Sequence, residues 1–250
     1  MYNPFSLQGK SILVTGASSG IGRAVAIECS KMGAKLILSA RNKERLHETS
    51  TSLINSEIHR IIPADLTDND VLSDMMYLID SPLDGIVHCA GITNPKPFSF
   101  ISSEDISKMM KINFEAPVML TQHLLKRKKI TSGGSIVFIS SISGVYISSV
   151  GGSLYSASKG AIHGIVKAMA LELASKSIRV NCINPGMIDT NIFKEGIITK
   201  EQLVEDSKRY PLRRHGKPEE VAYAAIYLLS AASQWVTGTN IVIDGGYTLL

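Results

Sequence analysis

The chain has 250 residues, 44% of them hydrophobic and 19% charged, with a formal net charge of +4. That content excludes wholesale disorder and supplies a core for one large domain or two small ones. The mild positive excess permits an anionic ligand, but Lys and Arg are mostly dispersed and no nucleic-acid-binding signature is present, so no nucleic-acid partner is expected.

The N-terminal MYNPFSLQGK lacks a charged start leading into an apolar run, so no signal peptide is predicted. No apolar run approaches the ~18–20 residues of a membrane span, so no membrane partner is expected. Cys29, Cys89 and Cys182 form neither CxxC nor a Cys–His ligand spacing, and no metal is expected. All three lie in apolar segments. That predicts free buried thiols, a reducing compartment and a cytoplasmic location.

SILVT (11–15) is the first predicted strand, followed by a predicted helix over 21–32. Between them GASSGIG places glycines at 16, 20 and 22. A tight turn, close approach of a phosphate and an unobstructed helix start each call for glycine. After a first strand this is the setting for a dinucleotide pyrophosphate, with Gly16, Ser18, Ser19, Gly20, Ile21 and Gly22 as contacts; a purely structural turn is the alternative. KLILSA (35–40) is the second strand, before a helix over 43–54. NAD-binding folds place an acid at its end, whereas this chain reads Ala40-Arg41-Asn42. A guanidinium there can bind a 2′-phosphate, so Ser39, Arg41 and Asn42 form the expected phosphate pocket and NADPH is favoured over NAD. An ordinary helix-start charge is the alternative.

HRIIPA (59–64) is the third strand and 68–79 the next helix. Asp65, beside Leu66, is placed to hydrogen-bond an adenine amino group or to cap that helix, for which Thr67 and Asp68 are better placed. DGIVHCA (84–90) is the fourth strand. Its end, Ala90 and Gly91, suits a backbone pressed against a cofactor, and His88 and Cys89 read as packing residues. A helix over 103–128, a strand SIVFIS (135–140), a helix over 153–175, a strand RVNCIN (179–184), a helix over 218–230 and a strand NIVID (240–244) complete the chain. No linker or composition break interrupts 1–250, so a single domain is expected. Continuous apolar strands separated by helices predict an α/β, doubly wound parallel sheet with ligands at the carboxyl ends of its strands.

SLYSASKGAIHG (153–164) sets Tyr155 and Lys159 one helical turn apart. A solvated pair is the plain alternative, but the following AIHGIVKAMALELA is apolar on nearly all sides, which predicts a buried helix. A free phenol titrates near pH ~10. A nearby ammonium and an oxidised nicotinamide both favour phenolate, which suits proton exchange with a carbonyl oxygen.

Together these pieces resemble the short-chain dehydrogenase/reductase family. TGASSGIG (15–22), HCAG (88–91), the helix of Asn113, the Ser141 region, YSASK (155–159), NPG (184–186) and VTGTNIVIDGG (236–246) carry the resemblance over essentially the whole chain. PLRRHGKPEEVAYAAIYLLS (211–230) and the VTG…DGG ending are most similar to beta-ketoacyl-acyl-carrier-protein reductases. The resemblance implies a Rossmann fold with a seven-stranded sheet and a catalytic set of Asn113, Ser141, Tyr155 and Lys159. The usual family spacing lands on Ile142, but SSISG aligns Ser141, leaving one extra residue within 145–154; Ser143 is the alternative. HCAG stands where NNAG is commoner.

By resemblance, Ser141 bonds the substrate oxygen, Lys159 also holds the nicotinamide ribose, and Asn113 positions a water for proton resupply. Pro185, Gly186, Ile188 and Thr190 close on the nicotinamide carboxamide beneath a lid at about 187–215. The pocket rim is expected from Val145, Tyr146, Ile147, Met187, Phe193 and Phe98. Arg213, Arg214 and the cluster KRKK (126–129) are candidate contacts for an acidic acyl carrier protein, a solvated helix end being the alternative for the cluster. The family usually forms dimers or tetramers, so a homo-oligomer is expected. The expected function is NADPH-dependent reduction of a carbonyl, with 3-oxoacyl thioesters among the substrates. An NAD(P)-dependent alcohol, hydroxysteroid or sugar/polyol dehydrogenase is the alternative. The intact catalytic set argues against a non-enzymatic nucleotide-binding protein.

Overall fold

The apolar runs become seven parallel strands in the computed structural model, whose described residues are 2–190 and 199–250. Strands β1 (Ser11–Thr15), β2 (Lys35–Ala40), β3 (Arg60–Pro63), β4 (Leu83–His88), β5 (Ile130–Ile139), β6 (Arg179–Pro185) and β7 (Asn240–Ile243) lie in the order β3-β2-β1-β4-β5-β6-β7. The order reverses between β1 and β4, which opens a crevice at their carboxyl ends.

Side chains alternate across β1. Ile12 and Val14 enter a core with α1 (Gly20–Lys31), α2 (Lys43–Thr51) and α8 (Pro218–Leu229), while Leu13 enters the opposite core. That second core packs α3 (Asn69–Leu78), α5 (Ala116–Lys126) and α6 (Ser153–Leu173). Both faces are therefore apolar, which explains strands without polar alternation.

Three elements differ from the sequence reading: β5 starts at Ile130 rather than at 135, and two helices depart from it. The helix expected over 103–128 is divided into α4 (Ser103–Met110), a wide π-type turn at Lys111–Glu115, and α5. Pro117 lies in the first turn of α5 and has no N–H to offer the carbonyl of Asn113, so the chain widens there. Helix α7 (Lys200–Ser207) was not expected. Its apolar period is weak, and it starts on a capping box between Thr199 and Gln202. Within the expected lid, 191–198, including the rim candidate Phe193, lie outside the described residues.

Candidate active site

A parallel sheet delivers every strand's carboxyl end to one edge, and the candidate residues converge there. Gly16 takes φ +65°, and a Cβ on it would lie 2.7 Å from the Ala90 backbone nitrogen. A Cβ on Gly22 would lie 2.3 Å from the Gly16 carbonyl oxygen. Both positions require glycine, one for its dihedral and contact with β4's end, the other for the turn folding onto the helix start. Thr15 Oγ1 ties the two strand ends together by accepting from Cys89 N at 3.2 Å and Ala90 N at 3.4 Å. Ser19 sits at the N-cap of α1 yet makes no side-chain capping bond. The turn is thus a backbone cradle at a helix N-terminus, an arrangement that fits a pyrophosphate. Thr190 reaches this loop from β6's end, with Cγ2 3.4 Å from where a Gly20 Cβ would stand.

The end of β2 differs from expectation. Ser39 is fully buried with no partner for its hydroxyl, so it does not face a phosphate. Its main chain instead accepts from Ala17 N at 3.2 Å, tying β2 to the glycine loop. Asn42 caps α2 by accepting from Arg45 N at 2.7 Å. Arg41 is left exposed at this corner. Asp65 is exposed and accepts from Thr67 N and Thr67 Oγ1 at 3.0 and 2.7 Å. These bonds, with the charges of Arg41 and Lys111, hold its carboxyl below the usual range. The cap of α3 falls to Asp68, which accepts from Asp70 N and Val71 N. Leu66 packs beneath in the core.

At β4, Gly91 faces the catalytic candidates: a Cβ there would lie 3.3 Å from Asn113 Oδ1 and 3.6 Å from Lys159 Nζ. Asn113 is 2% exposed. Its Oδ1 accepts from Ile92 N at 2.8 Å, and its Nδ2 donates to Ile92 O at 2.9 Å and Ser158 Oγ at 3.0 Å. The carboxamide clamps the residue after Gly91. Ser158 Oγ donates in turn to Tyr155 O at 2.8 Å. Lys159 is 6% exposed, and its Nζ donates to Ile139 O at 2.8 Å while standing 5.7 Å from the centre of the Tyr155 ring. Tyr155 itself is half-buried. Ser141 Oγ is buried and accepts from Ser143 N at 3.1 Å, while Ile142 N donates to Pro185 O at 3.1 Å. The serine segment and the Pro185–Gly186 turn are therefore tied together by main chain. Ile188 is buried there and bridges Gly216.

Three supports escaped the sequence reading: Thr15, Ser140, whose Oγ donates to Lys159 O at 3.0 Å, and Ser158. Their only signal is a hydroxyl beside a recognised motif residue. His88 and Cys89 are packing residues. His88 stacks on Phe138 with centroids 4.7 Å apart and pairs with Thr121 Oγ1. Burial pushes its pKa down to about 3, so it is neutral, and pushes the Cys89 thiol up to about 12.

The expected pocket rim is partly displaced. Val145, Tyr146 and Ile147 line a groove of about 690 Å³ with Ala157 and Gly160 of α6. At ~100° per residue that face points away from Tyr155. Gly144, at φ +97°, causes this: a Cβ there would lie 2.1 Å from Ser156 O, so the chain wraps tightly around the helix.

The geometry can be set beside known proteins. A family profile described as "Enoyl-(Acyl carrier protein) reductase" matches residues 16–248. A structure of a short-chain type dehydrogenase/reductase from Mycobacterium ulcerans superposes with a TM-score of 0.87 at 31% identity, covering 98% of this chain and 91% of that one. The chain belongs to the short-chain dehydrogenase/reductase family. It is therefore of an oxidoreductase family built on the Rossmann fold. A tropinone reductase homolog of Arabidopsis thaliana is 37% identical over 98% of this chain and 94% of its own length. A 3-oxoacyl-[acyl-carrier-protein] reductase of Aquifex aeolicus is 32% identical over 96% of this chain and 98% of its own. Members of the family use nicotinamide dinucleotides. The glycine cradle, the uncapped start of α1 and the small residues at 90–91 fit such a group, whose reactive ring would meet the edge holding Tyr155. Among the described residues no helix is long and apolar enough to cross a membrane, and no cluster of side chains could hold a metal.

Proposed function

We propose that the protein reduces a carbonyl group on a small, largely apolar compound, with NADPH as its preferred cofactor. The observation that carries this reading is the buried Lys159 ammonium beside the Tyr155 ring, at the edge where Gly16, Gly91 and Pro185 meet. When bound, the cofactor supplies a hydride to the carbonyl carbon. Tyr155 donates its phenolic proton to the carbonyl oxygen. Ser141 donates a hydrogen bond to the same oxygen as its charge develops. Lys159 orients the ribose and keeps positive charge next to the phenol. Asn113 acts through position, fixing Gly91 and Ile92 against Lys159. Arg41 would hold the 2′-phosphate as an exposed guanidinium with no acid at Ala40. Pro185, Gly186, Ile188 and Thr190 shape the turn that meets the carboxamide, with Gly16 to Gly22 under the pyrophosphate and Asp65 at the adenine.

The substrate class rests on the loops around the entrance. Lys96 N donates to Gly151 O at 2.9 Å, joining the loop after β4 to the one preceding α6. Lys96 also pairs with Asp105. On these joined loops Phe98 is 80% exposed and Val150 fully exposed, an apolar lip beside the start of α6. The basic cluster 126–129 closes α5 and leads into β5, at the opposite edge of the sheet. There Arg127 covers the Tyr77 ring at 5.0 Å and Lys129 Nζ bonds Ile79 O at 2.6 Å. Arg214 is paired with Glu220, and Arg213 bonds Lys208 O. These engagements favour a free apolar ketone over a carrier-bound thioester. The test is a spectrophotometric screen of cyclic and acyclic ketones and acetoacetyl thioesters with NADPH and NADH. Turnover of apolar ketones with NADPH is expected. Preference for a charged thioester, or for NADH, would overturn the corresponding part. Assembly as a homo-oligomer in the cytoplasm belongs to the same proposal, with light scattering as its test.

A further inference from the structure

Tyr210 lies in the segment after α7, just before the stretch 211–230 and outside the expected site residues, yet it is 5% exposed. Its ring packs between two glycines. Cε1 is 3.5 Å from where a Gly186 Cβ would stand, and Cδ1 is 3.5 Å from where a Gly245 Cβ would stand. Tyr247, in the C-terminal turn, lies 4.8 Å from it centre to centre, and His215 meets it edge-on at 5.6 Å. Arg209 holds the Tyr247 hydroxyl, and Asp206 Oδ2 pairs with His215 Nε2 at 3.0 Å, so the surrounding cage is itself tied down. From this cage the Tyr210 hydroxyl accepts a hydrogen bond from Met187 N at 3.3 Å. Burial pushes the phenol up to about 12, so it remains a neutral hydroxyl at physiological pH.

Met187 is the residue after Gly186, at the centre of the turn 185–190. The turn's two flanks are fixed by main chain: Gly186 N donates to Ile243 O at 2.9 Å, Gly216 N to Met187 O at 3.0 Å, and Asp189 N to Gly216 O at 2.8 Å. Tyr210 adds a side-chain contact between those flanks. We propose that Tyr210 is a positioning residue for the nicotinamide end of the cofactor, setting the Met187 amide plane and with it the turn that receives the carboxamide. This rests on the reading of 185–190 given under Proposed function. It adds a link from the C-terminal turn, through Tyr247 and Tyr210, to the reacting end of the dinucleotide.

The test is Tyr210→Phe, which keeps the ring and deletes the hydroxyl. Calorimetric affinities are compared for NADPH, NADH and 2′-phospho-ADP-ribose, which keeps the nucleotide end and lacks nicotinamide. Loss of one net hydrogen bond predicts roughly three- to tenfold weaker binding of NADPH and NADH alike. Binding of 2′-phospho-ADP-ribose should be unchanged. Equal weakening of all three ligands would mean a general structural role and overturn the proposal, as would no weakening of any. If Tyr210→Phe fails to fold, Tyr247→Ala retains the phenol but removes its stacking partner; it should weaken NADPH and NADH and spare 2′-phospho-ADP-ribose, and any other pattern overturns the proposal. A wild-type protein that binds 2′-phospho-ADP-ribose but neither complete dinucleotide would sink both this proposal and the reading of the turn. Normal NADPH binding and ketone turnover in wild type, with Tyr210→Phe indistinguishable from it, would sink this proposal alone.

Discussion

Replacing Asn113 by Ala tests whether the site's frame is held by one carboxamide. The change deletes the hydrogen bonds to Ile92 N at 2.8 Å, Ile92 O at 2.9 Å and Ser158 Oγ at 3.0 Å, and a weaker one from Nδ2 to the Met109 sulfur at 3.1 Å. At about 0.5–1.5 kcal/mol net for each of the first three, the loss is about 2–4 kcal/mol. For a chain of this size each kcal/mol moves the midpoint by about 2–4 °C, so Tm should fall by roughly 5–15 °C. Calorimetry at fixed protein concentration, with and without NADPH, reads the shift. Asn113→Asp keeps the acceptor for Ile92 N but loses both donors, and buries a charge, so it should be no better than Ala. A fall of less than about 2 °C for Asn113→Ala would refute the reasoning. It would mean that water satisfies Ile92 and that Gly91 stays beside Lys159 without the clamp.

Tyr155→Phe should reduce ketone turnover by at least about 10²–10⁴-fold, with NADPH affinity by calorimetry little changed; full activity would remove the acid–base assignment. Arg41→Ala should raise KM for NADPH by roughly 10–100-fold and leave KM for NADH unchanged, as expected for losing a charge-assisted bond to a 2′-phosphate; equal effects on both cofactors would place the phosphate elsewhere. Glu220 accepts two bonds from Arg214, at 2.8 and 2.6 Å, and these, with the Lys217 amide, hold its pKa down at about 2. Because the folded value lies below the unfolded one, the pair's stabilisation is present above pH ~4.3 and is lost as pH falls toward 2. The pair lies at the surface, so solvent screens it and the contribution is small. Glu220→Gln should therefore narrow the stability difference between neutral and acidic pH in urea titrations, and an unchanged difference would show that the pair contributes nothing.

The strand–helix alternation was legible because burial on both faces of a parallel sheet leaves continuous apolar runs, and SILVT, KLILSA and RVNCIN all became strands. The glycine loop was legible because its constraints are local: Gly16 and Gly22 sit where backbone meets backbone within a few residues or at the adjoining strand end. Tyr155 and Lys159 were legible because one helical turn separates them. The break at Lys111–Glu115 had a sequence signal in Pro117, but its consequence, a carboxamide turned onto Ile92, depends on where β4 ends.

Tertiary structure alone decided the rest. Nothing near Ser39 states that its hydroxyl faces inward, because that follows from how β2 is packed. Val145 to Ile147 follow a serine motif, yet Gly144 turns them to the far side of α6. Tyr210 and Met187 are 23 positions apart in sequence and meet through a single hydrogen bond. Sequence fixed what repeats with the period of a helix or strand, or acts within one turn of chain. Contacts between distant segments carry no period, and are set only when the packed core fixes the direction in which each loop leaves its strand.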